Sequence, residues 1–334
     1  MLILNRHDVT TLLSMPQCIE LMEQALASLS RGEVILPLRP VIRIPESPNA
    51  FAVMPAYSAD LQASAAKLIS VYPDNHGTGL DSHQGMVALF DGTNGRPLAI
   101  IDAFSITAIR TAAVSGVATK LLARRDARTV AILGAGTQGR THIDAMLAAH
   151  PFERVVLWSR TKSHAAALVT EAEGRYGPGP VSRASPARFV VVDDIDAAVR
   201  DADVVCTVTA SREPILRGGW LRPGTHVNAV GSSIPSAREL DTETVRRARV
   251  FVDRRESAAN EAGDLIIPMK EGAISADHIA GELGELILGK VRGREDDEQI
   301  TLFKSLGLAV EDLACAVYLH ERASREGVGV TVDL

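Results

Sequence analysis

The sequence predicts an α/β protein in which a Rossmann-type domain, a parallel doubly wound sheet, is inserted into a second, α+β domain. Three observations predict it. First, the β-branched run Thr129-Val-Ala-Ile-Leu133 ends in Gly134, Gly136 and Gly139 and opens at once into Thr141-His-Ile-Asp-Ala-Met-Leu-Ala-Ala. Strand, glycine turn and helix therefore follow one another in the order a G-x-G-x-x-G match requires. Second, strand-like and helix-like stretches alternate from Ala127 to about Asp253, the pattern of βαβ units. Third, the block before them is a series of strand-like segments at meander spacing without that alternation. At 334 residues the chain has room for about two ordinary domains, each with its own core.

Taken in order, residues 8–30 read as one amphipathic helix, with Ile19, Leu21, Met22, Ala25, Leu26 and Leu29 at helical spacing. Residues 36–45 are extended and punctuated by prolines. Strand candidates follow at 51–54, 65–71, 86–90 and 97–102, and Asp91-Gly-Thr-Asn-Gly95 between the last two is a hairpin turn. Residues 105–123 read as a long helix with Ser105 as its N-cap. In the alternating part, strands are expected at 130–133, 155–158, 189–192, 204–208, 226–230 and 250–252, with helices such as 163–173 and 239–248 between them. The Gly-, Pro- and Ser-rich stretch 174–186 reads as a surface loop. From Ile300 the chain reads as mostly helical, 305–325, and returns to the first domain. The expected division is 1–115 plus 305–334 for the α+β domain and 116–304 for the Rossmann domain.

Composition narrows the function. The chain is 46% hydrophobic and 23% charged with a net charge of −6, so it lacks the basic footprint of a partner of nucleic acid or anionic membrane. Cys18, Cys206 and Cys315 are far apart in sequence and form no C-x-x-C pair, which suits reduced thiols in the cytoplasm rather than a disulfide framework or a zinc site. No signal-peptide pattern and no run of transmembrane length is present. Hydrolase and kinase motifs are absent. His76 and His83 stand in a polar stretch without enough converging ligands for a metal.

What the glycines imply is a dinucleotide. Gly134 would allow the tight turn, Gly136 the close approach of a pyrophosphate, and Gly139 close packing of helix on strand. The end of the next strand, Leu157-Trp-Ser-Arg-Thr-Lys162, carries no carboxylate for a ribose 2′-hydroxyl. It carries Ser159, Arg160, Thr161 and Lys162, donors suited to a 2′-phosphate, so NADP(H) is favoured over NAD(H). In the first domain, Arg39, Lys67 and Arg110 lie in otherwise apolar or proline-bound stretches. Charges there need partners. Two readings stand for them: a carboxylate-binding site with an acid/base lysine, or salt bridges at a domain or subunit interface.

Nine ordered stretches together resemble the ornithine cyclodeaminase/mu-crystallin family. They are Val53-Met-Pro-Ala-Tyr, Ala66-Lys-Leu, Ser82-His-Gln-Gly, Ile106-Thr-Ala-Ile-Arg-Thr-Ala-Ala, Gly134-Ala-Gly-Thr-Gln-Gly, Thr207-Val-Thr-Ala, Asn228-Ala-Val-Gly, Arg238-Glu-Leu-Asp and Ile300-Thr-Leu-Phe-Lys-Ser-Leu-Gly. The resemblance implies a homodimer whose first domain forms the interface and whose second binds NAD(P). By matching position it implies that Arg39, Lys67, Arg110 and Leu306 contact an amino or imino acid, with Lys67 and Arg110 acting in catalysis. It further implies that Ser82, Arg110, Gly134, Gly136, Thr137, Gln138, Gly139, Ser159, Arg160, Thr161, Lys162, Thr207, Val230, Gly231, Ser232 and Ser305 line the cofactor.

One departure stands out. Cyclodeaminases of the family have an aspartate in the turn after Asn228-Ala-Val-Gly, where this chain has Ser233. Serine has no accessible negative charge near neutral pH. The resemblance thus implies an oxidoreductase that moves hydride between NAD(P)H and the Cα of a small α-imino acid. Candidate substrates are pyrroline-2-carboxylate, piperideine-2-carboxylate, or the imine of pyruvate and ammonia as in an alanine dehydrogenase. Two alternatives stay open: an ornithine cyclodeaminase-type lyase with recycled NAD, and a non-catalytic NADPH-dependent ligand-binding protein.

Overall fold

A computed structural model of the chain describes residues 1–75, 78–176 and 187–333. The chain divides into two compact units, Met1–Arg110 with Gly307–Leu334, and Thr111–Leu306. The second unit is thus an insertion in the first.

The first unit opens with β1 (Leu2–Leu4), α1 (Arg6–Leu12) and α2 (Met15–Arg31), where the sequence predicts one helix. The break has a local cause. Leu13 and Ser14 are extended, and Pro16 falls in the first turn of α2, where a missing N–H costs nothing. A proline is tolerated there and would not be tolerated further in. The meander follows: β2 (Val34–Ile35), β3 (Val41–Arg43), β4 (Ala50–Ser58), β5 (Ala63–Val71), β6 (His83–Asp91) and β7 (Pro97–Asp102), with the expected turn at 91–95. Next, α3 (Ala103–Leu122) begins two residues before the predicted cap. Asp102 rather than Ser105 does the capping: its Oδ1 accepts the Ser105 N–H at 2.8 Å, and the buried Ser105 hydroxyl has no partner.

The second unit carries β8 (Thr129–Leu133), α4 (Thr137–Ala149), β9 (Arg154–Trp158), α5 (Lys162–Tyr176), β10 (Arg188–Val191), α6 (Ile195–Val199), β11 (Val204–Thr207) and β12 (His226–Ala229). It continues with α7 (Thr242–Arg247), β13 (Arg249–Val252), α8 (Arg255–Glu261), α9 (Gly263–Lys270), β14 (Ile279–Glu282), α10 (Leu283–Ile287) and β15 (Thr301–Lys304). The strands are ordered β10-β9-β8-β11-β12-β15-β13-β14 and every pair is parallel. This is the doubly wound sheet the sequence predicts. The strand order reverses between β8 and β11, which makes their carboxyl ends the switch point.

Three expectations need correction here. Residues 301–304 form a buried strand between β12 and β13, not part of a helical tail. Four residues buried on both faces show no period, and Lys304 among them looks like a surface residue. In fact Lys304 is fully buried against Asp264, Nζ to Oδ2 at 2.9 Å. The helix expected at 239–248 begins at Thr242, because Asp241 caps it by accepting the Thr244 N–H at 2.8 Å. Gly174–Tyr176 continue α5, and the rest of the expected loop, 177–186, lies outside the described residues.

The chain then returns to the first unit as α11 (Ala309–Glu326) and β16 (Val330–Thr331). The first sheet has the order β16-β1-β7-β6-β5-β4-β2, with β3 also on β4. Strand alternation puts Ala63, Ala65, Lys67 and Ile69 of β5 on its covered face, against which α11 packs, with α2 packed in turn on α11. Cys18 of α2 and Cys315 of α11 meet there as free thiols, Sγ to Sγ 3.8 Å. The opposite face leaves Phe51, Tyr57, Met86 and Phe90 at 36–42% exposure. No described helix is long and apolar enough to cross a membrane.

Removing one member of a buried ion pair leaves an uncompensated charge, which costs about 3–5 kcal/mol. Lys304→Met is therefore expected to lower the free energy of unfolding by that order, read as a lower urea midpoint at unchanged slope. An unchanged midpoint would show that Asp264 does not depend on this partner.

Candidate active site

The first unit gathers its interesting cations around α11. Lys67 points from the covered face of β5, and its Nζ lies 2.8 Å from Asp312 Oδ2 and 3.4 Å from the Thr107 hydroxyl. Arg110, at the end of the part of α3 that belongs to this unit, donates from Nη1 to Glu311 at 2.6 Å and from Nε to the other oxygen of Asp312 at 3.3 Å. All four side chains are at most 4% exposed. Asp312 therefore bridges the two cations, one oxygen to each.

Electrostatics separates their behaviour. Burial lowers the Lys67 pKa, Asp312 pulls it back up, Arg110 and Arg39 push it down, and it comes to about 8. Burial also works against the Arg110 charge, but Asp312 and Glu311 outweigh it, so the guanidinium is held charged. Arg39, half-buried between β2 and β3, contributes through the field it exerts on Lys67. Gly307 makes the geometry possible. It has φ +80°, and a Cβ there would lie 2.3 Å from Arg110 Nη1. Only glycine combines that backbone with that closeness.

In the second unit the glycine turn lies at the carboxyl end of β8. Gly134 has φ +129°, and a Cβ on it would come within 2.7 Å of the Val208 carbonyl oxygen. A Cβ on Gly139 would meet the Gly134 oxygen at 2.1 Å. At Gly136 the same test finds nothing within 4 Å, so the space before this residue is open. Gly136 is also the N-cap of α4 and supplies no side-chain cap, and Gln138 Oε1 is buried without a partner. Open space at Gly136, an uncapped helix start at Thr137 and the unmatched Gln138 oxygen fit the pyrophosphate of a dinucleotide.

Thr207 is the buried last residue of β11, and Val230, Gly231 and Ser232 follow β12. Gly231 N–H donates to Glu239 at 2.8 Å, and the Ser232 hydroxyl donates to the Ala237 carbonyl at 2.5 Å. Ser305 and Leu306 follow β15, with Ser305 N–H bonded to Ala229 and Leu306 N–H to Asp253. At the end of β9, Arg160, Thr161 and Lys162 are exposed and Ser159 half-buried, while Lys162 pairs with Asp193 at 2.7 Å. Ser82 lies in the first unit, its Oγ 3.1 Å from His83 Nδ1. Ser233 is exposed. His76 lies outside the described residues. Among the described residues no group of three or more His, Cys, Asp or Glu is arranged to hold a metal ion.

Sequence reasoning missed Glu311, Asp312 and Glu239. Glu311 and Asp312 sit in the first turn of α11, where acidic residues are ordinary complements of the helix dipole. Their partner Arg110 is some two hundred residues away, so nothing local marks them. Glu239 belongs to the Arg238-Glu-Leu-Asp stretch that carries the resemblance, which was the one available signal.

The comparisons with known proteins agree with one another. The model of the ornithine cyclodeaminase/mu-crystallin family matches residues 1–327. The chain is 39% identical over 334 residues to a Delta(1)-pyrroline-2-carboxylate reductase of Bacillus cereus, covering 100% of both. It is 40% identical over 303 residues to the ketimine reductase mu-crystallin of Mus musculus, covering 90% of each. Among solved structures, Delta(1)-pyrroline-2-carboxylate reductase of Thermococcus litoralis in complex with NADH and L-proline superposes with a TM-score of 0.95. It is 40% identical, over 99% of this chain and 100% of that one.

Gly307→Ala is expected to push Arg110 off Glu311 and Asp312 and to lower the thermal midpoint by several degrees, since a side chain in that backbone conformation alone costs about 1–2 kcal/mol. A thermal melt of the variant that overlays the parent would refute the proposed fit.

Proposed function

The chain belongs to the ornithine cyclodeaminase/mu-crystallin family, and from that premise we propose that it is an NAD(P)H-dependent reductase of small cyclic α-imino acids, with pyrroline-2-carboxylate as the first candidate. Piperideine-2-carboxylate and the imine of pyruvate with ammonia come next. The observation that carries this reading is the buried cluster of Lys67, Arg110, Asp312 and Glu311 in a chain so similar to imine reductases. Counting Arg39, three cations face two carboxylates. The surplus positive charge suits a substrate with one carboxylate.

When bound, the reduced nicotinamide supplies hydride to the imine carbon. The chain's own residues supply the rest. Arg39 and Arg110 hold the carboxylate, and this fixes the plane of the C=N bond. Lys67 donates a proton to the imine nitrogen as the carbon is reduced, so that C=N becomes CH–NH. Asp312 keeps the lysine charged and aimed. The glycine turn, Thr207, Ser305 and the turn at 230–232 hold the dinucleotide.

Ser233 supports reduction over the lyase reading, because a deaminating cyclisation needs a carboxylate there to recruit the second amine. Ser159, Arg160 and Thr161 support NADP(H) over NAD(H), with Lys162 already held by Asp193. We infer a homodimer through the sheet face that carries Phe51, Tyr57, Met86 and Phe90, since four large apolar side chains exposed on one sheet face suit an interface. The buried thiols and the pyridine-nucleotide chemistry suit the cytoplasm.

Loss of nicotinamide absorbance with a panel of cyclic imines, and with pyruvate plus ammonia, tests the reading. Ammonia release from ornithine without net cofactor consumption would overturn it. Lys67→Met is expected to keep NAD(P)H binding and lower kcat by about a hundredfold or more, the usual weight of a positioned general acid. In the parent the ammonium form prevails below a pKa of about 8, so the rate should fall as pH rises through that value. A rate flat from pH 7 to about 9.5 would remove Lys67 from this role. Arg160→Ala should raise KM for NADPH by about tenfold and leave that for NADH nearly unchanged. Equal effects on the two cofactors would count against 2′-phosphate recognition.

A further inference from the structure

We propose that Glu239 is a positioning residue for the dinucleotide, pinning together the loops after β11 and β12 that face its nicotinamide half. The proposal rests on the reading that Thr111–Leu306 binds NAD(P)H. In a doubly wound sheet each half takes one mononucleotide across the switch point. The adenosine ribose belongs with β8 and β9, so the nicotinamide side falls to β11 and β12.

Glu239 is fully buried. Its Oε1 accepts the Thr209 N–H at 2.7 Å and the Thr209 hydroxyl at 2.6 Å, and its Oε2 accepts the Gly231 N–H at 2.8 Å. Three donors on one carboxylate is the arrangement of an ionised acid used as an acceptor. The residue is itself anchored from behind. Asp264 Oδ1 accepts the N–H groups of Glu239 and Leu240 at 2.8 and 3.0 Å, and Oδ2 pairs with Lys304 at the end of β15.

Close packing makes the pin consequential. A Cβ on Gly231 would lie 2.1 Å from the Thr209 oxygen and 2.6 Å from Glu239 Oε1, so the two loops touch through backbone. The next contact in the row is that between Gly134 and the Val208 oxygen. Loops after β8, β11 and β12 are therefore stacked side by side, and Glu239 ties two of them. Asp264 and Lys304 are the charges that face it, and burial with Asp264 raises its pKa above the ordinary value. Glu239 itself reaches neither hydride donor nor substrate in this role.

The test is Glu239→Gln, which keeps the shape but turns an acceptor into a donor facing an N–H. Dissociation constants for NADPH and NADH are measured on the whole protein by nicotinamide fluorescence, with steady-state kinetics and a thermal melt alongside. The expected result is a rise of about tenfold in both the dissociation constant and KM for the cofactor, the effect of one unsatisfied buried donor. KM for the imine and kcat at saturating cofactor should stay within about twofold. A lower melting point with unchanged cofactor affinity would mean a merely structural residue and overturn the proposal. If Glu239→Gln does not fold, Thr209→Val removes one of the three bonds and should still weaken cofactor binding by about threefold; unchanged affinity there overturns it too. Absence of NAD(P)H binding by the parent would instead bring down the reading of the unit itself.

Discussion

The Asp312 carboxylate holds the buried charges of the first unit together, with one oxygen on Lys67 and the other on Arg110. Two buried cations would repel each other and resist desolvation; at an effective dielectric near 20, unit charges about 4 Å apart interact by about 4 kcal/mol. Asp312 and Glu311 balance the two cations, and half-buried Arg39 leaves the cluster with a surplus of one positive charge. The same carboxylate explains why Lys67 remains largely protonated up to about pH 8 despite complete burial. It also makes the placement of α11 a chemical matter, because the helix that covers the sheet brings both acids in its first turn. Gly307, just before it, is the point at which chain geometry and charge meet.

The second unit solves a similar problem by other means. Its sheet is parallel and buried, so the strand ends are where loops and backbone N–H groups become available. Those loops are tied by buried acids rather than left free. Asp253 accepts Leu306, Asp264 accepts Glu239 and Leu240, and Glu239 accepts Thr209 and Gly231. Each tie uses an ionised or partnered carboxylate as acceptor for backbone donors that strand pairing leaves over. The glycines of the motif and Gly231 then let the loops approach one another more closely than any side chain allows.

Much of the fold was legible because its causes are local. The turn at 91–95, the βαβ alternation and the strand–glycine–helix order each depend on neighbours in sequence. The misses have local causes too, of a subtler kind. Pro16 reads as a helix breaker or a helix starter depending on the turn it occupies, and Asp102 competes with Ser105 for one cap. Residues 301–304 failed for a different reason: a four-residue strand buried on both faces has no period to detect.

By itself, then, the sequence determined the doubly wound sheet, the position of the glycine turn within it and the chemical oddity of Lys67 and Arg110 in apolar stretches. Family resemblance added a class of reaction, now matched by the relatives of the chain. Only the tertiary structure decided which acids answer those cations, that Lys304 sits inside a sheet, and that Glu239 ties two loops. The reason is distance along the chain. Patterns of period and turn are written within a dozen residues, whereas the partner of a buried charge is chosen by the fold, here from far along the chain.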